Sequence, residues 1–484
     1  MMSKIEDLIK SGFMTGENIK TDSRLVKGGD IFVALKGTEH DGHDYARQAL
    51  EKGASFVLCE KDPSGLEDEY LGKVLVVQGM REELGRIAHS LFGRPSESLS
   101  VHGVTGTNGK TSTVFLIDTI LNNAGISSGF ISTVFIKTAG DVFRRSTMTT
   151  PDALTLNRLL SEIVADRKKA AAVEISSHAL VQGRVRGIGL DSAVFTNITP
   201  EHLDYHKDMD TYFRDKTKIF RNLKPGGMAV INADDPMVGS IRTGMDPARL
   251  VTFGIDCPAD VSAGDIRFYA TGTEFDLYAV GLGKTRLKTA LIGKHNVYNV
   301  LAAVSALLNS GLDLGIIKEG LEKAVPVPGR LDVVSSNTPF RVFVDYAHTP
   351  DALENILKCL RPLAEGRIIC VFGCGGDRDR SKRPVMGDIA VRLSDHAVLT
   401  SDNPRTEDPF AILGEIEKGM RAKNNYSIIE DRRNAIKEAL KMADKGDIVV
   451  IAGKGHEDHQ IIGRTRTHFD DKETAGEILK ELGC

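Results

Sequence analysis

Short apolar runs recur along the chain and alternate with longer segments in which apolar residues repeat at helical spacing. One of these helical segments covers 296–311 and ends at Gly311. The apolar runs occupy 31–35, 56–59, 74–77, 170–176, 192–198, 228–234, 341–346, 367–373, 396–401 and 447–453. Strands that are apolar on both faces and separated by helices are typical of parallel sheets. The pattern therefore predicts an α/β protein built on parallel sheets.

Two breaks in this pattern divide the chain into three predicted α/β domains. The first break is the linker-like segment 93–97, and the second is 326–329, where two prolines in three residues cannot continue a helix. Three domains suit a length of 484 residues, since a domain averages about 150 residues. The predicted domains are 1–95, 96–328 and 329–484.

Composition narrows the possible partners and location. A net charge of −4 and a pI near 6.4 do not favour binding to nucleic acid or to a membrane surface. No apolar run reaches the roughly 18 residues of a membrane span, and the N-terminus lacks a signal-like apolar core. Six cysteines in a chain of this length do not form a disulfide framework, and we expect Cys370 and Cys374 to be buried and reduced. These features predict a cytoplasmic protein.

The segment VTGTNGKTST at 104–113 has the context of a phosphate-binding loop, between a predicted strand and a predicted helix. Gly106 and Gly109 allow the backbone to direct N–H groups at phosphate oxygens, and the helix N-terminus adds its positive dipole. Lys110 supplies a cation for the β- and γ-phosphates, and the Thr111 hydroxyl can bind Mg²⁺. The general pattern requires glycine where this chain has Val104. The loop predicts nucleotide binding without naming the reaction.

Several charged residues stand in unexpected places. Glu174 lies in a run that should be buried, so its carboxylate requires a cation such as Mg²⁺ or hydrogen bonds, unless it reaches solvent at the strand end. His202, Asp204 and His206 could bind a metal, although spacing alone favours surface-loop residues. Lys216, together with Lys218, is typical of a solvated helix face on charge pattern alone.

Eleven segments in order along the chain resemble the Mur ligase family, the ATP-dependent amino-acid ligases of peptidoglycan synthesis. In this family the phosphate loop has the form GTNGKT[ST], which does not require glycine at the position of Val104. The segments are DSRLVKGGDIFVALKG (22–37) with DGHDYA (41–46), GVTGTNGKTST (103–113), TTPDA (149–153), EISSHALVQGRV (174–185), FTNITPEHLDYH (195–206), GKHNVYNVLAA (293–303), VPGRLD (327–332), DYAHTPDAL (345–353), FGCGGDRDRSKRP (372–384), SDNPRTEDP (401–409) and AGKGHED (452–458).

The resemblance implies a UDP-binding N-terminal domain, a central ATPase-type domain with a phosphate loop, and a Rossmann-like C-terminal domain. It also implies a lysine carbamylated by CO₂ at Lys216, which becomes an anionic ligand for a second Mg²⁺. The implied metal ligands are Thr111, Glu174, His202 and carbamylated Lys216, and the implied catalytic residues are Lys110, Lys216, Glu174 and His202. The implied ATP-binding residues are Thr105, Gly106, Thr107, Asn108, Gly109, Lys110, Thr111, Ser112, His295, Asn296, Asn299 and Arg330.

Two further residue sets follow from the resemblance, one for each of the other substrates. The residues that match positions around UDP-MurNAc-L-Ala-D-Glu are Ser23, Thr38, Glu39, His40, Thr149, Thr150, Ser176, Gln182 and Arg184. Those that match an amino-acid site are Arg378, Asp402, Asn403, Pro404, Arg405, Gly453 and Glu457. We expect a monomer that acts on small molecules and does not bind nucleic acid.

The family pattern implies that the glutamyl γ-carboxylate attacks the γ-phosphate of ATP, and that the amine then displaces phosphate from the acyl phosphate. His178 and His348 are candidates for removing the proton. Arg405 can clamp a carboxylate through two hydrogen bonds, unless it pairs with Asp408 or another protein carboxylate. Meso-diaminopimelate carries such a carboxylate at its far end and lysine does not, so we expect meso-diaminopimelate as the amine.

Other functions remain open on the sequence. A lysine-adding ligase, the later ligase of the same pathway and a folylpolyglutamate-type ligase share the loop. The N-terminal DSR and DGH segments disfavour the folate enzyme, and SSHAL with DNPR disfavours the later ligase. A P-loop GTPase would require a base-reading NKxD element, which the chain does not offer at a plausible strand end.

Overall fold

The apolar runs form buried strands in a computed structural model of the chain, which describes residues 2–37, 40–63, 66–237, 241, 246, 249–269, 271–334 and 337–483. The strands are short and most of their residues are buried, as expected for sheets that are covered on both faces. The α/β prediction is confirmed. Thr38 and Glu39, which were predicted to bind the UDP end of the substrate, lie outside the described residues.

The chain folds into two units of dense internal contact. The first unit comprises Met1–Thr105, Gly125–Phe195 and Arg214–Ala229. The second unit comprises Gly106–Ala124, Thr196–Phe213 and Val230–Cys484. The polypeptide therefore passes from one unit to the other at the start of the phosphate loop, directly after the strand Ser100–Thr105.

The N-terminal residues of the first unit form a sheet whose strands are all parallel. Its described strands, in spatial order, are Ile19–Lys20, Ile31–Val33, Phe56–Cys59 and Val74–Val76. Apolar residues on one face of this sheet, among them Ile31, Val33 and Leu58, pack with Leu84 and Ile87 of a following helix.

A second sheet of the first unit holds the strand that precedes the phosphate loop. Its described strands, in spatial order, are Leu190–Phe195, Ser100–Thr105, Ala170–Glu174, Ser128–Ile131, Phe135–Lys137 and Arg144–Arg145. The first four are parallel, and the register pairs Val104 with Glu174. Glu174 therefore lies at the carboxyl edge of this sheet, the edge at which α/β proteins bind ligands.

The strand Leu223–Asn232 continues from the first unit into the second. Four strands follow it, and the last three pair in an antiparallel arrangement that the apolar runs did not predict. These strands are Leu250–Gly254, Val261–Tyr269, Gly272–Ala279 and Gly283–Thr289.

The C-terminal part of the second unit contains a further sheet, which is parallel except for its first strand. Its described strands, in spatial order, are Asp332–Val333, Arg341–Asp345, Ile448–Ala452, Ile368–Phe372, His396–Leu399 and Tyr426–Ile428. Successive residues of a strand, such as Ile369 and Cys370, pack into separate apolar clusters on the two faces of the sheet. A two-stranded ribbon, His459–Ile462 with Thr465–His468, lies outside this sheet.

Helices cover these sheets. The α-helices within the first unit are Met2–Lys10, Ala46–Glu51, Asp68–Leu71, Met80–Leu91, Pro95–Ser98, Ala153–Ala165 and Ser177–Val181. Those among the described residues of the second are Lys110–Asn123, Leu203–His206, Lys294–Ala306, Leu314–Glu322, Pro350–Leu360, Lys382–Leu393, Pro409–Met420, Arg432–Met442 and Asp471–Glu481. The helix Met209–Thr217 runs from the second unit into the first.

Two local predictions differ from the structure. The break at 93–97 contains the short helix Pro95–Ser98, which begins with proline at the position where a missing N–H costs least. The helix predicted over 296–311 is Lys294–Ala306, and a run of turns from 307 to 311 replaces its last residues. None of the helices in the described part of the chain has the length and apolar composition that a membrane span requires.

Candidate active site

The phosphate-loop sequence adopts the predicted strand–loop–helix arrangement, between Ser100–Thr105 and Lys110–Asn123. Gly106 and Gly109 have φ angles of +145° and +85°. A Cβ at Gly106 would lie 1.9 Å from Thr196 Oγ1, and one at Gly109 would lie 2.3 Å from Asn299 Oδ1. Both glycines are therefore required by space as well as by backbone conformation.

Side chains of the loop and of the segment after Phe195 hold its conformation. The Asn108 N–H donates to Asn197 Oδ1 at 2.9 Å, and Thr196 Oγ1 donates to the Asn108 carbonyl at 2.6 Å. Lys110 Nζ donates to the Gly106 and Thr107 carbonyls at 3.0 and 2.8 Å. The lysine therefore lies folded against its own loop, where it can meet an incoming phosphate.

A cavity of about 350 Å³ opens beside the loop within the second unit. Eight of the residues predicted to bind ATP line it. They are Asn108, Gly109, Thr111, Ser112, His295, Asn296, Asn299 and Arg330. The remaining four predicted residues, Thr105, Gly106, Thr107 and Lys110, belong to the adjoining strand, loop and helix start. The structure thus brings the phosphate loop together with residues nearly 200 positions later in the chain.

Arg330 contributes charge to this cavity. Arg330 lies with its guanidinium carbon 4.8 Å from the centre of the Tyr346 ring, and its Nη2 is 3.5 Å from Thr111 Oγ1. Its buried Nε has no hydrogen-bond partner among the described residues. Desolvation, and then the Arg330 charge, lowers the pKa of His295 to about 4, so this imidazole is neutral at pH 7.

Sequence reasoning missed several acidic groups that line the same cavity. Asp234 accepts hydrogen bonds from the Tyr298 hydroxyl at 2.7 Å and from three backbone N–H groups at 255–257. Asp351 accepts one from Asn108 Nδ2 at 2.7 Å, and burial raises its pKa. The only sequence signal for Asp234 was its place at the end of the run 228–234, where a ligand-binding strand end is expected.

In the first unit, the residues predicted to surround the muramoyl peptide cluster around the end of the strand Ala170–Glu174. The Thr150 hydroxyl donates to the Glu174 carbonyl at 2.8 Å and accepts the Ser176 N–H at 3.0 Å. Arg184 donates from Nη1 to the Thr150 carbonyl at 2.6 Å and from Nη2 to Gln182 Oε1 at 2.7 Å.

The other predicted residues of this set lie near the cluster's edge or in the N-terminal segment. Thr149 accepts a hydrogen bond from the Thr133 hydroxyl at 3.1 Å. Ser23 is buried, and its carbonyl accepts from Lys52 Nζ at 2.9 Å. His40 is exposed and its ring contacts Tyr45 edge-on. His178, a candidate base, lies in the helix Ser177–Val181.

Two residues predicted as metal ligands are almost fully buried in the first unit. Glu174 and Lys216 are each 2% exposed, and Glu174 Oε2 accepts the Thr133 N–H at 2.9 Å. The solvent-reaching alternative for Glu174 and the solvated helix face at Lys216 are therefore both wrong. The charge pattern predicted an exposed Lys216 because nearby cations such as Arg214 are exposed, and the pattern does not show that position 216 faces inward.

The remaining predicted ligands lie in the second unit. Thr111 is buried at the start of its helix, whereas the His202 side chain is 45% exposed and its backbone has a φ of +56°. His206 is buried against Tyr212, which corrects its interpretation as a surface-loop residue. No group of three His, Cys, Asp or Glu residues in the described chain has metal-site geometry. The Thr111 hydroxyl and the Glu174 carboxylate nevertheless offer oxygen atoms of the kind that Mg²⁺ prefers, whereas His202 offers a nitrogen.

All seven residues predicted for the amino-acid site meet in the C-terminal part of the second unit. Asn403 Nδ2 donates to Glu457 Oε2 at 2.8 Å, and a Cβ at Gly453 would lie 2.8 Å from Asp402 Oδ2. The Pro404 carbonyl would lie 1.9 Å from a Cβ at position 376, so the backbone near Gly376 is in contact with the backbone near Pro404.

The two arginines of the amino-acid site lie at this loop contact. Arg405 donates from Nη1 to the Gly376 carbonyl at 2.7 Å, and its backbone has a φ of +52°. Burial, and then the nearby Arg378 guanidinium, lowers the pKa of Arg405. Arg405 forms no ion pair with any described carboxylate, and Asp408 instead caps the helix Pro409–Met420. The alternative pairing of Arg405 is therefore not observed in the described chain.

Buried ions beneath this pocket were not predicted. Arg383 has no exposed side-chain surface and contacts Glu407 at 2.9 and 3.0 Å, Glu415 at 2.7 Å and the Gly375 carbonyl at 3.3 Å. Its bonds to Glu407 lower the pKa of that carboxyl to about 2. Arg383 thus ties the 375–378 loop to the 404–407 loop. Cys370 and Cys374 are buried free thiols, as predicted.

Comparisons with known proteins agree with this architecture. Three family models match successive parts of the chain: "Mur ligase family, catalytic domain" at 16–90, "Mur ligase middle domain" at 104–307 and "Mur ligase, glutamate ligase domain" at 329–455. These matches confirm the resemblance and the three-part α/β architecture, while the boundaries 1–95, 96–328 and 329–484 stay predictions.

Two curated relatives match nearly the whole chain. The "UDP-N-acetylmuramoyl-L-alanyl-D-glutamate--2,6-diaminopimelate ligase 1" of Clostridium acetobutylicum is 42% identical over 96% of this chain and 95% of its own length. The 2,6-diaminopimelate ligase of the same description from Syntrophomonas wolfei is 44% identical over 96% of this chain and 94% of its own.

Solved structures give the same result. A structure of a UDP-N-acetylmuramoyl-L-alanyl-D-glutamate--2,6-diaminopimelate ligase matches with a TM-score of 0.67 and 34% identity, over 96% of this chain and 95% of that one. MurF from Thermotoga maritima, solved with ADP, matches with a TM-score of 0.64 at 21% identity over 96% of this chain and 98% of its own, and so shares the fold. The chain belongs to the Mur ligase family of ATP-dependent amide-bond-forming enzymes.

Proposed function

We propose that this ligase adds meso-diaminopimelate to UDP-MurNAc-L-Ala-D-Glu in peptidoglycan precursor synthesis, at the expense of ATP. The observation that carries the proposal is the 42% and 44% identity, over 96% of the chain, to relatives that bear the name of this reaction. The complete amino-acid pocket supports it. The cytoplasmic location, the monomeric state and the absence of nucleic-acid binding stay predictions.

The cavity beside the phosphate loop would hold ATP. Backbone N–H groups of the loop and the N-terminus of the helix Lys110–Asn123 would bind the phosphates, and Lys110 would leave its loop carbonyls to follow the γ-phosphate. Arg330 would add a second cation through its unpartnered Nε. Neutral His295 and the polar residues Asn296, Asn299 and Tyr298 would contact the nucleoside part.

The buried Glu174 and Lys216, with Thr111 and His202, are proposed to hold two Mg²⁺ ions once Lys216 is carbamylated. A carbamate replaces a buried ammonium by a buried anion, which fits a site that receives divalent cations. Mg²⁺ at these residues would supply charge neutralisation of the phosphates. Lys110 contributes to the same neutralisation from the protein side, and such electrostatic stabilisation usually dominates phosphoryl transfer.

The acceptor's glutamyl γ-carboxylate attacks the γ-phosphorus of ATP, and the bond from that phosphorus to the β-phosphate oxygen breaks. ADP is released, and the acceptor becomes an acyl phosphate. The cluster of Thr149, Thr150, Ser176, Gln182 and Arg184 is proposed to hold this acceptor, with Ser23, Thr38, Glu39 and His40 at its UDP end. The amine nitrogen then attacks the acyl carbon, a C–N bond forms, and phosphate departs with the acyl C–O electrons.

The attacking amine must lose a proton, and we propose that His348 accepts it. Its Nδ1 bonds to the Tyr346 carbonyl at 2.8 Å, which makes Nδ1 the protonated nitrogen and leaves the Nε2 lone pair available. Desolvation, and then the Lys382 ammonium, lowers the pKa of His348 to about 4, so the ring is neutral at pH 7. Glu201, whose carboxylate lies 3.8 Å from Nε2, would stabilise the imidazolium that forms.

The amino-acid pocket explains the choice of amine. Arg405 and Arg378 provide donors for a carboxylate, while Glu457 and the Gly453 carbonyl provide acceptors for an ammonium group. The far end of meso-diaminopimelate carries both groups, whereas lysine carries only the ammonium. A desolvated arginine without its carboxylate disfavours the lysine complex.

Product formation under initial-rate conditions tests the proposal. ADP release should require UDP-MurNAc-L-Ala-D-Glu and an amino acid together, and the UDP-linked product should gain one diaminopimelate residue in mass. In competition, meso-diaminopimelate should be incorporated at least 100-fold more than equimolar L-lysine. Release of ADP at the same rate without either substrate would contradict the ligase function, and a preference for lysine would contradict the pocket assignment.

A further inference from the structure

Lys454 is a lysine with no exposed side-chain surface, two residues after the strand Ile448–Ala452 and beneath the amino-acid pocket. Its ammonium group donates to Asn403 Oδ1 at 3.2 Å and to the His459 carbonyl, and it lies 3.6 Å from Glu457 Oε2. A buried ammonium loses its hydration and is maintained only where acceptors replace the water. Lys454 therefore requires the groups that it contacts to keep one arrangement.

The first of these groups is the Asn403 amide, whose orientation the contacts determine. Asn403 Oδ1 accepts from Lys454 and also from the Ile461 N–H at 2.9 Å, while Nδ2 donates to Glu457 Oε2 at 2.8 Å. A flipped amide would direct its NH₂ group at two donors and its oxygen at a carboxylate. The Lys454 ammonium thus holds the NH₂ group of Asn403 toward Glu457.

The consequence appears at the Glu457 carboxylate, which is 23% exposed. Its Oε2 is held by Asn403 and lies near the Lys454 ammonium, whereas no hydrogen bond to Oε1 occurs among the described residues. The carboxylate is therefore held by one oxygen, and Oε1 keeps its capacity to accept a hydrogen bond from a ligand. An acceptor that is oriented before the ligand arrives binds an ammonium without an ordering cost.

Charge balance supports the same conclusion. Asp402, Glu457 and Lys454 together carry one net negative charge, and the neighbouring Arg432 is neutralised by Asp471 at 2.7 Å. Burial raises the pKa of Asp402, but the Lys454 ammonium and then Arg432 outweigh burial and keep this carboxyl ionised. The Arg405 guanidinium interacts with Asp402 and Glu457 and offsets this charge until a ligand carboxylate pairs with it, and the ligand's ammonium group then takes its place beside the acidic groups.

We propose that Lys454 is a positioning residue that acts through Asn403 and Glu457 to select amino acids with an ammonium group at their far end. The inference rests on the proposed function, because it assumes that Glu457 receives that group. Lys454 does not contact the amino acid itself.

The test compares two amino acids that differ in this one group, meso-diaminopimelate and (S)-2-aminopimelate, which lacks the second amino group. In Lys454→Met, the ratio of kcat/KM for meso-diaminopimelate to that for 2-aminopimelate should fall by about 10-fold to 100-fold. The KM for ATP should stay within about twofold, because the nucleotide cavity is unchanged. Lys441→Met, at an exposed lysine paired with Glu438, should leave the ratio unchanged. An unchanged ratio in Lys454→Met would overturn the proposal.

Two further variants separate positioning from general damage. Asn403→Asp keeps an acceptor for Lys454 and Ile461 but cannot donate to Glu457, so it should lower the same ratio even where Lys454→Met fails to fold. In a Glu457→Gln background, Lys454→Met should lower the ratio much less than in the wild type, since both residues act on one ammonium. Additive effects would overturn the inference. A wild-type enzyme inactive with meso-diaminopimelate would instead contradict the proposed function.

Discussion

The phosphate loop and the amino-acid pocket recognise charge by different means. The loop consists of consecutive residues, and its shape depends on two glycines and on backbone contacts to Thr196 and Asn197. The pocket is assembled from the segments 375–378, 402–407 and 453–457. Two buried cations bond to these segments, Arg383 to Gly375 and Glu407, and Lys454 to Asn403.

This difference determines which substitutions each region tolerates. A loop that binds through main-chain N–H groups loses little when most of its side chains change, apart from the glycines and Lys110. A pocket that binds through charged side chains depends on every partner that orients them, because an unpaired buried charge is costly. Substitutions in the two regions should therefore differ in their effects on the KM values for ATP and for the amino acid.

The largest expected effect comes from Lys110→Met, which removes the mobile cation of the loop. The rate of ADP formation with both substrates present should fall by about 10³-fold, because charge on the transferring phosphoryl group is no longer neutralised. Lys323→Met, at an exposed lysine paired with Glu319, is the matched control and should be fully active. A loss of less than tenfold in Lys110→Met would mean that Arg330 and the backbone suffice.

Arg405→Lys should have the next largest effect, and it should be confined to the amino acid. We expect kcat/KM for meso-diaminopimelate to fall by about 100-fold with an unchanged KM for ATP, since lysine cannot reproduce the two parallel hydrogen bonds of a guanidinium. Arg421→Lys, at an exposed arginine paired with Glu417, provides the control. An equal loss for both substrates would indicate that Arg405 supports the fold rather than the carboxylate.

The same contrast explains what the sequence could predict. Strands such as Ile368–Phe372 and the loop at 106–109 depend on local patterns, apolar continuity and glycine spacing, so residues alone were sufficient. The antiparallel strands at 261–289 gave no such signal because they are only half buried and alternate with charged residues. Local pattern determines an element when burial is complete on both faces.

Outside the phosphate loop, most candidate site residues came from the family pattern and not from charge or spacing. Lys216 carried the charge pattern of a surface lysine, yet it is buried, because neither charge nor spacing records which face of a short helix turns inward. Arg383 and Lys454 were missed for a related reason. Both are basic residues within polar sequence motifs, and their burial depends on Glu407 and Asn403, which are 24 and 51 positions away.

Glu407→Gln should change the response of stability to acid. The pKa of Glu407 is lowered from 4.5 to about 2, chiefly by its hydrogen bond to Arg383. A lowered folded-state pKa stabilises the protein above pH 4.5, and this contribution disappears as the pH falls toward 2. The free energy of unfolding in urea should therefore decline less steeply between pH 4.5 and 2 in Glu407→Gln than in the wild type. Parallel curves for the two proteins would contradict the assignment.

The smallest effect is expected for Asn108→Ala, although Asn108 lies in the middle of the phosphate loop. Its side chain donates to Asp351 at 2.7 Å rather than toward the phosphates, and its backbone contacts to Thr196 and Asn197 do not require a side chain. The KM for ATP should rise by less than about fivefold, because the hydrogen bond that is lost joins Asn108 to Asp351 and not to ATP. Gly109→Ala supplies the opposite case, since its Cβ would lie 2.3 Å from Asn299 Oδ1 at a φ of +85°.

A steady-state series with ATP varied at saturating acceptor and amino acid measures both variants under one condition. If Gly109→Ala loses ATP binding while Asn108→Ala retains it, recognition in the loop belongs to the main chain. Equal losses would give the Asn108 side chain a direct part in binding ATP, because the Asp351 contact alone cannot account for more than a small change. The phosphate loop would then resemble the amino-acid pocket in depending on an oriented side chain.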